Sequence, residues 1–374
     1  PTPLALWAEK HLGTDGAIQI TGSHNPPDYN GIKMTVKGGS YFGSSIQGLL
    51  RRIKENDFAE GAGTLIHEDP IPRYISEVAA GFKLARPVRV VVDCGNGAGA
   101  LVAIDLLRAI GADVIPLYCE SDGTFPNHHP DPTVDEYLVD MIDLVKEKKA
   151  ELGIAFDGDA DRIGAVDENG TVVRGDILLL LFGLDILKSR GPGQKLVFDV
   201  KCSQVLPEVF EAAGGEPIMW RTGHSHIKSR MKELDAPLGG ELSGHICFAD
   251  DYIGIDDAPY DACRLVDLLS RNDRSFSQLV AALPQYVSTP EIRIEVDEKK
   301  KWEVVEKALE HFRQLYDVID VDGARVLFGD GWGLLRTSNT QPVIVARFEA
   351  KTEERLQEIQ SLMQGWLRTQ GINV

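Results

Sequence analysis

Apolar runs that alternate with helix-like periodic stretches organise most of this chain. Val88 to Asp93 is a β-branched run typical of a buried strand, and a glycine-rich turn and an Ala/Leu-rich helix follow it. The same order recurs with strands at 152–156 and 195–200 and helices at 176–189 and 202–213. Strand, turn and helix in this order begin a βαβ unit, so the pattern predicts α/β domains.

The first part of the chain places a polar loop between two short apolar segments. Residues 17–20 and 32–36 have strand character, and residues 21–31 read Thr-Gly-Ser-His-Asn-Pro-Pro-Asp-Tyr-Asn-Gly, which is dense in turn formers. An amphipathic stretch at 45–56 predicts a helix. A tight turn between two strands holds its side chains rigidly at a surface.

The last part of the chain predicts a smaller α+β domain. Residues 291–296 alternate apolar and charged side chains, as a half-exposed strand does, and 343–350 form a second strand. Residues 302–316 and 356–367 have helical periodicity. We therefore predict three α/β domains followed by this α+β domain, with a hinge near Pro284. The predicted boundaries are 1–70, 71–172, 173–284 and 285–374.

Composition narrows the class of protein. A chain of 374 residues with 43% hydrophobic and 26% charged residues is typical of a globular protein with several domains. The net charge of −18 disfavours nucleic acid and anionic membranes as partners, and no apolar stretch approaches the length of a membrane span. Five scattered cysteines without a C-x-x-C pair favour reduced thiols and a cytoplasmic location.

The polar loop at 21–31 contains a candidate phosphate carrier. Ser23 lies beside the imidazole of His24, and a rigid serine next to a proton-carrying group suits a nucleophile. Serine is also common in ordinary turns, so this loop alone does not decide between the two interpretations.

Residues 157–162, Asp-Gly-Asp-Ala-Asp-Arg, predict a cation site. Alternate spacing lets Asp157, Asp159 and Asp161 converge on one hard cation. A calcium EF-hand would require glycine where Arg162 stands, and helices where strands flank this loop. A solvated acidic turn is the other alternative. Mg²⁺ fits best, because it accepts a few carboxylates and completes its shell with phosphate oxygens.

Two further loops carry groups that suit a sugar phosphate. Glu241 and Ser243, in Gly-Glu-Leu-Ser-Gly, offer an acceptor and a donor for adjacent hydroxyls. The segment Arg336-Thr-Ser-Asn-Thr combines a guanidinium with hydroxyls and suits a phosphate dianion, although a helix N-cap would look the same. Its candidate ligands are Arg336, Ser338, Asn339 and Thr340.

Together, in this order, the four loops resemble the phosphohexomutase superfamily, with bacterial phosphomannomutase/phosphoglucomutase as the nearest branch. The resemblance runs along almost the whole chain and implies four domains around a central cleft. It assigns the phosphoserine loop, the metal loop, the sugar-binding loop and the phosphate-binding loop to domains 1 to 4 in turn. A Tyr-Asp-x-Arg-Gly motif that family members carry upstream is absent, so we expect an incomplete first domain.

The resemblance also implies the chemistry. Phosphorylated Ser23, whose oxygen joins Asp157, Asp159 and Asp161 around Mg²⁺, would exchange a phosphoryl group with mannose or glucose phosphates through a 1,6-bisphosphate. Lys33, Lys201 and His224 align with active-site positions of the family. His24 is a proton-carrying candidate beside Ser23, and Arg162, which follows the metal loop, could support either the phosphate or that loop. Glu241 and Ser243 would hold the 3- and 4-hydroxyls, and the general base stays unassigned.

Several alternatives stay open at this point. Phosphoglucosamine mutase is the runner-up within the superfamily, and a non-catalytic sugar-phosphate binding protein or a metal-dependent phosphatase are the rivals outside it. The pair His128 and His129 looks like a metal site but lacks a third ligand, which favours a structural loop. Residues 95–99 do not match a dinucleotide motif. We expect a monomer.

Overall fold

A computed structural model of the chain describes residues 1–26, 28–338 and 341–374. Domain 1 is a three-stranded antiparallel sheet of order β1-β2-β3 with one helix at each end. It contributes Leu4 and Trp7 to the main core, whereas its second helix buries no residue. Its elements are α1 (Thr2–Leu12), β1 (Gly16–Ile20), β2 (Ile32–Val36), β3 (Gly39–Ser40) and α2 (Ser44–Glu55).

Domain 2 is a mixed sheet of order β5-β4-β6-β7-β8. Its central strand β4 is parallel to β5 and β6, and β7 and β8 run antiparallel to their neighbours. The elements are α3 (Ile71–Ala79), β4 (Arg89–Asp93), α4 (Ala103–Ala109), β5 (Asp113–Leu117), α5 (Val139–Lys148), β6 (Leu152–Phe156), β7 (Ile163–Asp167) and β8 (Val172–Val173), with 3₁₀ turns at Ala98–Leu101 and Asp135–Leu138.

Domain 3 repeats this arrangement with the order β10-β9-β11-β12. Strand β9 is parallel to β10 and β11, and β12 is antiparallel to β11. The two domains therefore share one strand topology. The elements are α6 (Gly175–Arg190), β9 (Lys195–Asp199), α7 (Val205–Ala212), β10 (Glu216–Trp220), α8 (His224–Leu234), β11 (Leu238–Gly240), β12 (Ile246–Phe248), α9 (Ala258–Ser270) and α10 (Phe276–Ala281).

Domain 4 is an antiparallel sheet of order β13-β18-β17-β16-β15, in which β14 also pairs with β18. Helices α11 and α12 pack on it around a separate core that includes Phe312, Phe348 and Met363. The elements are β13 (Val287–Ser288), β14 (Ile292–Glu295), α11 (Glu298–Arg313), β15 (Asp317–Ile319), β16 (Ala324–Leu327), β17 (Gly331–Thr337), β18 (Val343–Ala350) and α12 (Glu353–Thr369).

Domains 3 and 4 meet through buried charged side chains. Arg325, fully buried, donates to the carbonyls of Val200 and Cys202 and stacks on Trp332 at 3.7 Å. A buried guanidinium is costly unless it is paired. Here Nη1 and Nη2 of Arg325 have acceptors, whereas its Nε has none among the described residues, so the contact favours this arrangement of the two domains without satisfying every donor. Within the described residues, no helix is long and apolar enough to cross a bilayer.

Candidate active site

Each of the four domains places one of the loops predicted from the sequence between two strands. These loops lie between β1 and β2, between β6 and β7, between β11 and β12, and between β17 and β18, with Arg336 itself in β17. Each of these strand pairs is antiparallel. A loop that joins two antiparallel strands carries its polar side chains beyond the end of the sheet, and the strands hold both ends of the loop in place.

The serine loop and the acidic loop contact each other directly. The hydroxyl of Ser23 donates to Asp157 Oδ2 at 2.8 Å, and its oxygen lies 3.1 Å from His24 Nδ1. Ser23 has a φ of 50°, a left-handed conformation that favours glycine and is uncommon for other residues. A Cβ on Gly158 would lie 2.1 Å from the Ser23 carbonyl oxygen, so this approach requires glycine.

The acidic loop brings three buried carboxylates to one point. Ligand atoms of Asp157, Asp159 and Asp161 all lie within 4.8 Å of one another. Lys33 Nζ lies 2.8 Å from Asp159 and 2.5 Å from Asp161. Among the residues that the structure describes, Asp159 Oδ1 and Asp161 Oδ1 find no hydrogen-bond partner. Unsatisfied, converging carboxylate oxygens are the donor set that a hard divalent cation requires, so these residues fit such an ion.

Burial shifts the proton affinities around this cluster. Burial and the charges of Asp161 and Asp159 raise the pKa of Asp157 well above its ordinary value. Burial and the neighbouring charge of Arg162 lower the pKa of His24 to about 4, which keeps this imidazole neutral near pH 7. The carboxylates therefore differ. Asp157 favours its protonated form, whereas for Asp161 burial is outweighed by the charges of His245 and Lys33, which lower the pKa of Asp161 and keep it ionised.

Two stacked imidazoles lie beside the acidic loop. Arg162 Nε donates to His245 Nε2 at 3.0 Å, and the His245 and His224 ring centroids are 5.0 Å apart. Asp256, fully buried, lies 2.6 Å from His224 Nδ1 and 3.2 Å from His245 Nδ1, and Lys228 contacts its other oxygen at 2.6 Å. Asp256 therefore lies beside Nδ1 of both rings, but of these two rings it hydrogen-bonds only to that of His224, and Nδ1 of His245 has no hydrogen-bond partner among the described residues.

The loop at 241–245 adds two further polar side chains, those of Glu241 and Ser243, to this part of the structure. Glu241 is buried, and its carboxylate accepts a hydrogen bond from the backbone of Gly223, which precedes α8. Ser243 lies 3.4 Å from the other oxygen of Glu241. Both side chains thus belong to one small polar group, with His224 at the first position of the adjoining helix.

Arg336, near the end of β17, is joined to domain 3 through Asp322. This carboxylate accepts from Arg336 Nε at 2.9 Å and from the backbone of Thr222 at 3.0 Å. Ser338 is buried, and its hydroxyl accepts from the backbone of Gln341 at 3.2 Å. The predicted ligands Asn339 and Thr340 lie outside the described residues.

Lys201 lies at the junction of domains 3 and 4. Its Nζ donates to Glu291 at 2.6 Å and lies 3.7 Å from Asp199. Burial opposes its charge, but Asp199 and Glu291 outweigh burial and raise the pKa of Lys201. The lysine is therefore a fixed cation.

The structure brings Ser23 into contact with Asp157 and connects Arg162 through His245 to His224. It adds three residues that the sequence did not single out, which are His245, Asp256 and Lys228. His245 directly follows the Gly-Glu-Leu-Ser-Gly motif, and this position was the available signal. The other pair, His128 and His129, is structural: His128 Nε2 lies 3.0 Å from Asp93, and His129 contacts the carbonyl of His24.

Comparison with known proteins gives the same domain order. Four domain families described as phosphoglucomutase/phosphomannomutase match: α/β/α domain I at residues 1–60, domain II at 72–170, domain III at 174–287 and the C-terminal domain at 291–364. The chain belongs to the phosphoglucomutase/phosphomannomutase family. The predicted superfamily and fold class are thereby confirmed, while an incomplete first domain stays a prediction.

Individual family members align along nearly the whole chain. The phosphomannomutase/phosphoglucomutase of Pseudomonas aeruginosa is 46% identical over 370 residues, which are 98% of this chain and 80% of that protein. A phosphoglucomutase of Neisseria gonorrhoeae is 42% identical over 96% of this chain and 79% of its own length. A crystal structure of a family protein from Burkholderia thailandensis has a TM-score of 0.91 at 40% identity, covering 99% of this chain and 81% of that one.

Proposed function

We propose that this protein is an isomerase that interconverts the 6- and 1-phosphates of mannose and glucose by phosphoryl transfer through phosphorylated Ser23. The observation that carries the proposal is the contact between Ser23 Oγ and Asp157 inside a cluster of three buried carboxylates. A hydroxyl held there by a strained turn is poised to bear a phosphoryl group next to a cation. The proposal also assigns the four loops to four domains with the predicted boundaries.

We assign the cation as Mg²⁺, held by Asp157, Asp159, Asp161 and the oxygen of Ser23. When bound, the ion supplies positive charge that stabilises the transferring phosphoryl group and the departing serine oxygen. Lys33 and Arg162 add fixed positive charge on either side of this cluster. The concentration of cations here offsets the net charge of −18 that would otherwise repel an anionic substrate.

Proton transfer needs a group that accepts a proton from the attacking sugar hydroxyl. Because Asp256 binds Nδ1 of His224, the Nε2 atom of His224 is the proton acceptor of that ring, whereas His245 uses its Nε2 with Arg162 in this state. We propose His24, His224 and His245 as the proton-carrying groups of the site, with Lys201 as a fixed cation.

The two remaining loops explain how either end of the substrate is accepted. Glu241 and Ser243 would bind the 3- and 4-hydroxyls, where glucose and mannose are alike, so the loop does not read the 2-position at which they differ. Arg336 and Ser338, with Asn339 and Thr340, would hold the phosphate that is not reacting. A 1,6-bisphosphate intermediate that turns end for end places its second phosphate at Ser23.

Replacing the serine tests this proposal. Ser23→Ala removes the phosphoryl acceptor, and we expect conversion of mannose 1-phosphate to mannose 6-phosphate to fall at least about 1,000-fold. Ser45→Ala, at an exposed serine of the same domain, is the matched control and should retain activity. Near-parental turnover by Ser23→Ala would overturn the proposal. Faster turnover of glucosamine phosphates would favour phosphoglucosamine mutase, and release of free phosphate would favour a phosphatase.

A further inference from the structure

Two cysteine sulfurs face each other behind the acidic loop. Cys94 follows β4 and Cys119 lies two residues after the neighbouring parallel strand β5. Their Sγ atoms are 3.2 Å apart, although 24 residues separate them in the chain. We propose that Cys94 and Cys119 form a thiol pair that hydroperoxides oxidise to a disulfide, and that this disulfide weakens cation binding by the acidic loop.

The backbone geometry is compatible with this bond. The amide of Cys94 donates to the carbonyl of Leu117 at 3.1 Å, and the amide of Asn96 donates to Tyr118 at 2.8 Å. These bonds keep the two segments at the spacing of neighbouring strands, about 4.8 Å, which is compatible with the Cα separation of about 4.4–6.8 Å that disulfides adopt. The sulfurs must move about 1.2 Å closer to reach the length of an S–S bond, and part of this movement falls on the turn that begins at Cys94.

The two thiols differ in exposure and in pKa, so each takes a different part in the oxidation. Cys119 is only partly buried, whereas Cys94 is fully buried. The contact with Cys94 lowers the pKa of Cys119, against the effect of burial, and the same contact raises the pKa of Cys94. The three other cysteines, Cys202, Cys247 and Cys263, are buried, and burial raises the pKa of each thiol.

The reaction balances with one equivalent of hydroperoxide. The Cys119 thiolate attacks the terminal peroxide oxygen, the O–O bond breaks, and the alkoxide leaves and takes a proton as an alcohol or, from hydrogen peroxide, as water. Cys94 sulfur then attacks the sulfur of the resulting sulfenic acid. The S–S bond forms, the S–O bond breaks, and hydroxide leaves with the Cys94 proton as water.

The turn that follows Cys94 supports the acidic loop. The backbone of Ala98 donates to the Gly158 carbonyl at 2.9 Å, and a Cβ on Gly97 would lie only 2.7 Å from that oxygen. Gly158 lies between Asp157 and Asp159, so a shift of this turn moves the carboxylates of the proposed cation site. Loss of such supporting contacts typically costs about 10–100-fold in metal affinity.

The experiment measures disulfide formation and cation binding separately. The protein is treated with hydrogen peroxide, digested without reduction, and searched by mass spectrometry for one crosslinked peptide pair, two hydrogens lighter than the reduced peptides. Binding of Mn²⁺ is measured by electron paramagnetic resonance before oxidation, after oxidation and after reduction with dithiothreitol. Cys119→Ser and, as a second variant, Cys94→Ala should prevent the crosslink, while Cys263→Ser, at a buried cysteine outside the pair, should not.

We expect the Cys94–Cys119 crosslink and about tenfold weaker Mn²⁺ binding that dithiothreitol reverses. The cation part of this inference rests on the proposed function, but the crosslink does not. If reduced protein fails to bind Mn²⁺, the proposed cation site fails. Normal Mn²⁺ binding with no Cys94–Cys119 crosslink, or with a crosslink that leaves affinity unchanged, would overturn this inference alone.

Discussion

Replacing Lys33 by methionine should leave the three buried aspartates without their neutralising charge. With an effective dielectric constant of about 20, the two lysine contacts at 2.8 and 2.5 Å give about 13 kcal/mol of attraction in total. The three carboxylate pairs, all with atoms within 4.8 Å, give at least about 10 kcal/mol of repulsion on the same basis. The attraction to the lysine is thus of the same order as the repulsion within the cluster.

In the variant, protonation of Asp157 relieves part of the repulsion, and the positive charge of the nearby Arg162 relieves another part. We therefore expect Lys33→Met to lower the free energy of unfolding in EDTA by about 3–5 kcal/mol, the usual cost of removing one partner from a buried charge pair. Mg²⁺ at about 100 times its dissociation constant should return about 2.7 kcal/mol.

Urea unfolding with and without Mg²⁺ measures both effects. Lys10→Met, at an exposed lysine of α1, is the matched control and should change stability by less than about 0.5 kcal/mol. If Lys33→Met in EDTA unfolds within about 1 kcal/mol of the parent protein, the electrostatic description of the cluster is wrong.

Three further predictions follow from other contacts. Burial raises the pKa of Asp257 to about 6 from 3.8, so this carboxyl should lower stability by about 3 kcal/mol as pH rises from about 3 to about 7. Asp257→Asn should remove that part of the pH dependence, and an unchanged slope in urea unfolding would contradict it. Arg336→Lys keeps the ion pair with Asp322 but loses the guanidinium fork, so kcat/KM for hexose phosphates should fall about 10–100-fold; an unchanged value would remove Arg336 from the phosphate site. Glu291→Gln weakens the contact with Lys201 between domains 3 and 4, and hydrogen exchange of β14 should become faster, whereas unchanged exchange would show that other contacts hold the interface.

Local patterns in the sequence predicted the elements well where one residue type dominates. The strands at 32–36, 152–156 and 343–350 match the structure because β-branched and apolar runs leave no competing element. Helix starts were less accurate. Helix α11 begins at Glu298 rather than at Trp302, since Asp297 accepts from the backbone of Lys299 and caps an exposed, charged first turn.

The candidate site, too, could be predicted only in part from the sequence. Asp157 and Ser23 carry local motifs and could be proposed from the sequence, but their mutual contact spans 134 residues and follows only from the fold. Asp256 has no motif of its own, and its importance comes from the imidazoles that converge on it. That each of the four loops connects two neighbouring antiparallel strands became visible only when the order of the strands in each sheet was known.

The central claim is that Ser23 stores a transferable phosphoryl group. Protein incubated with glucose 1,6-bisphosphate, freed of ligand and digested should carry one phosphoryl group, on the peptide that contains Ser23. Mixing the loaded protein with mannose 6-phosphate should remove that group within one turnover and produce the bisphosphate. A phosphoryl group on another residue, or one on Ser23 that hexose phosphate does not remove, would contradict the account.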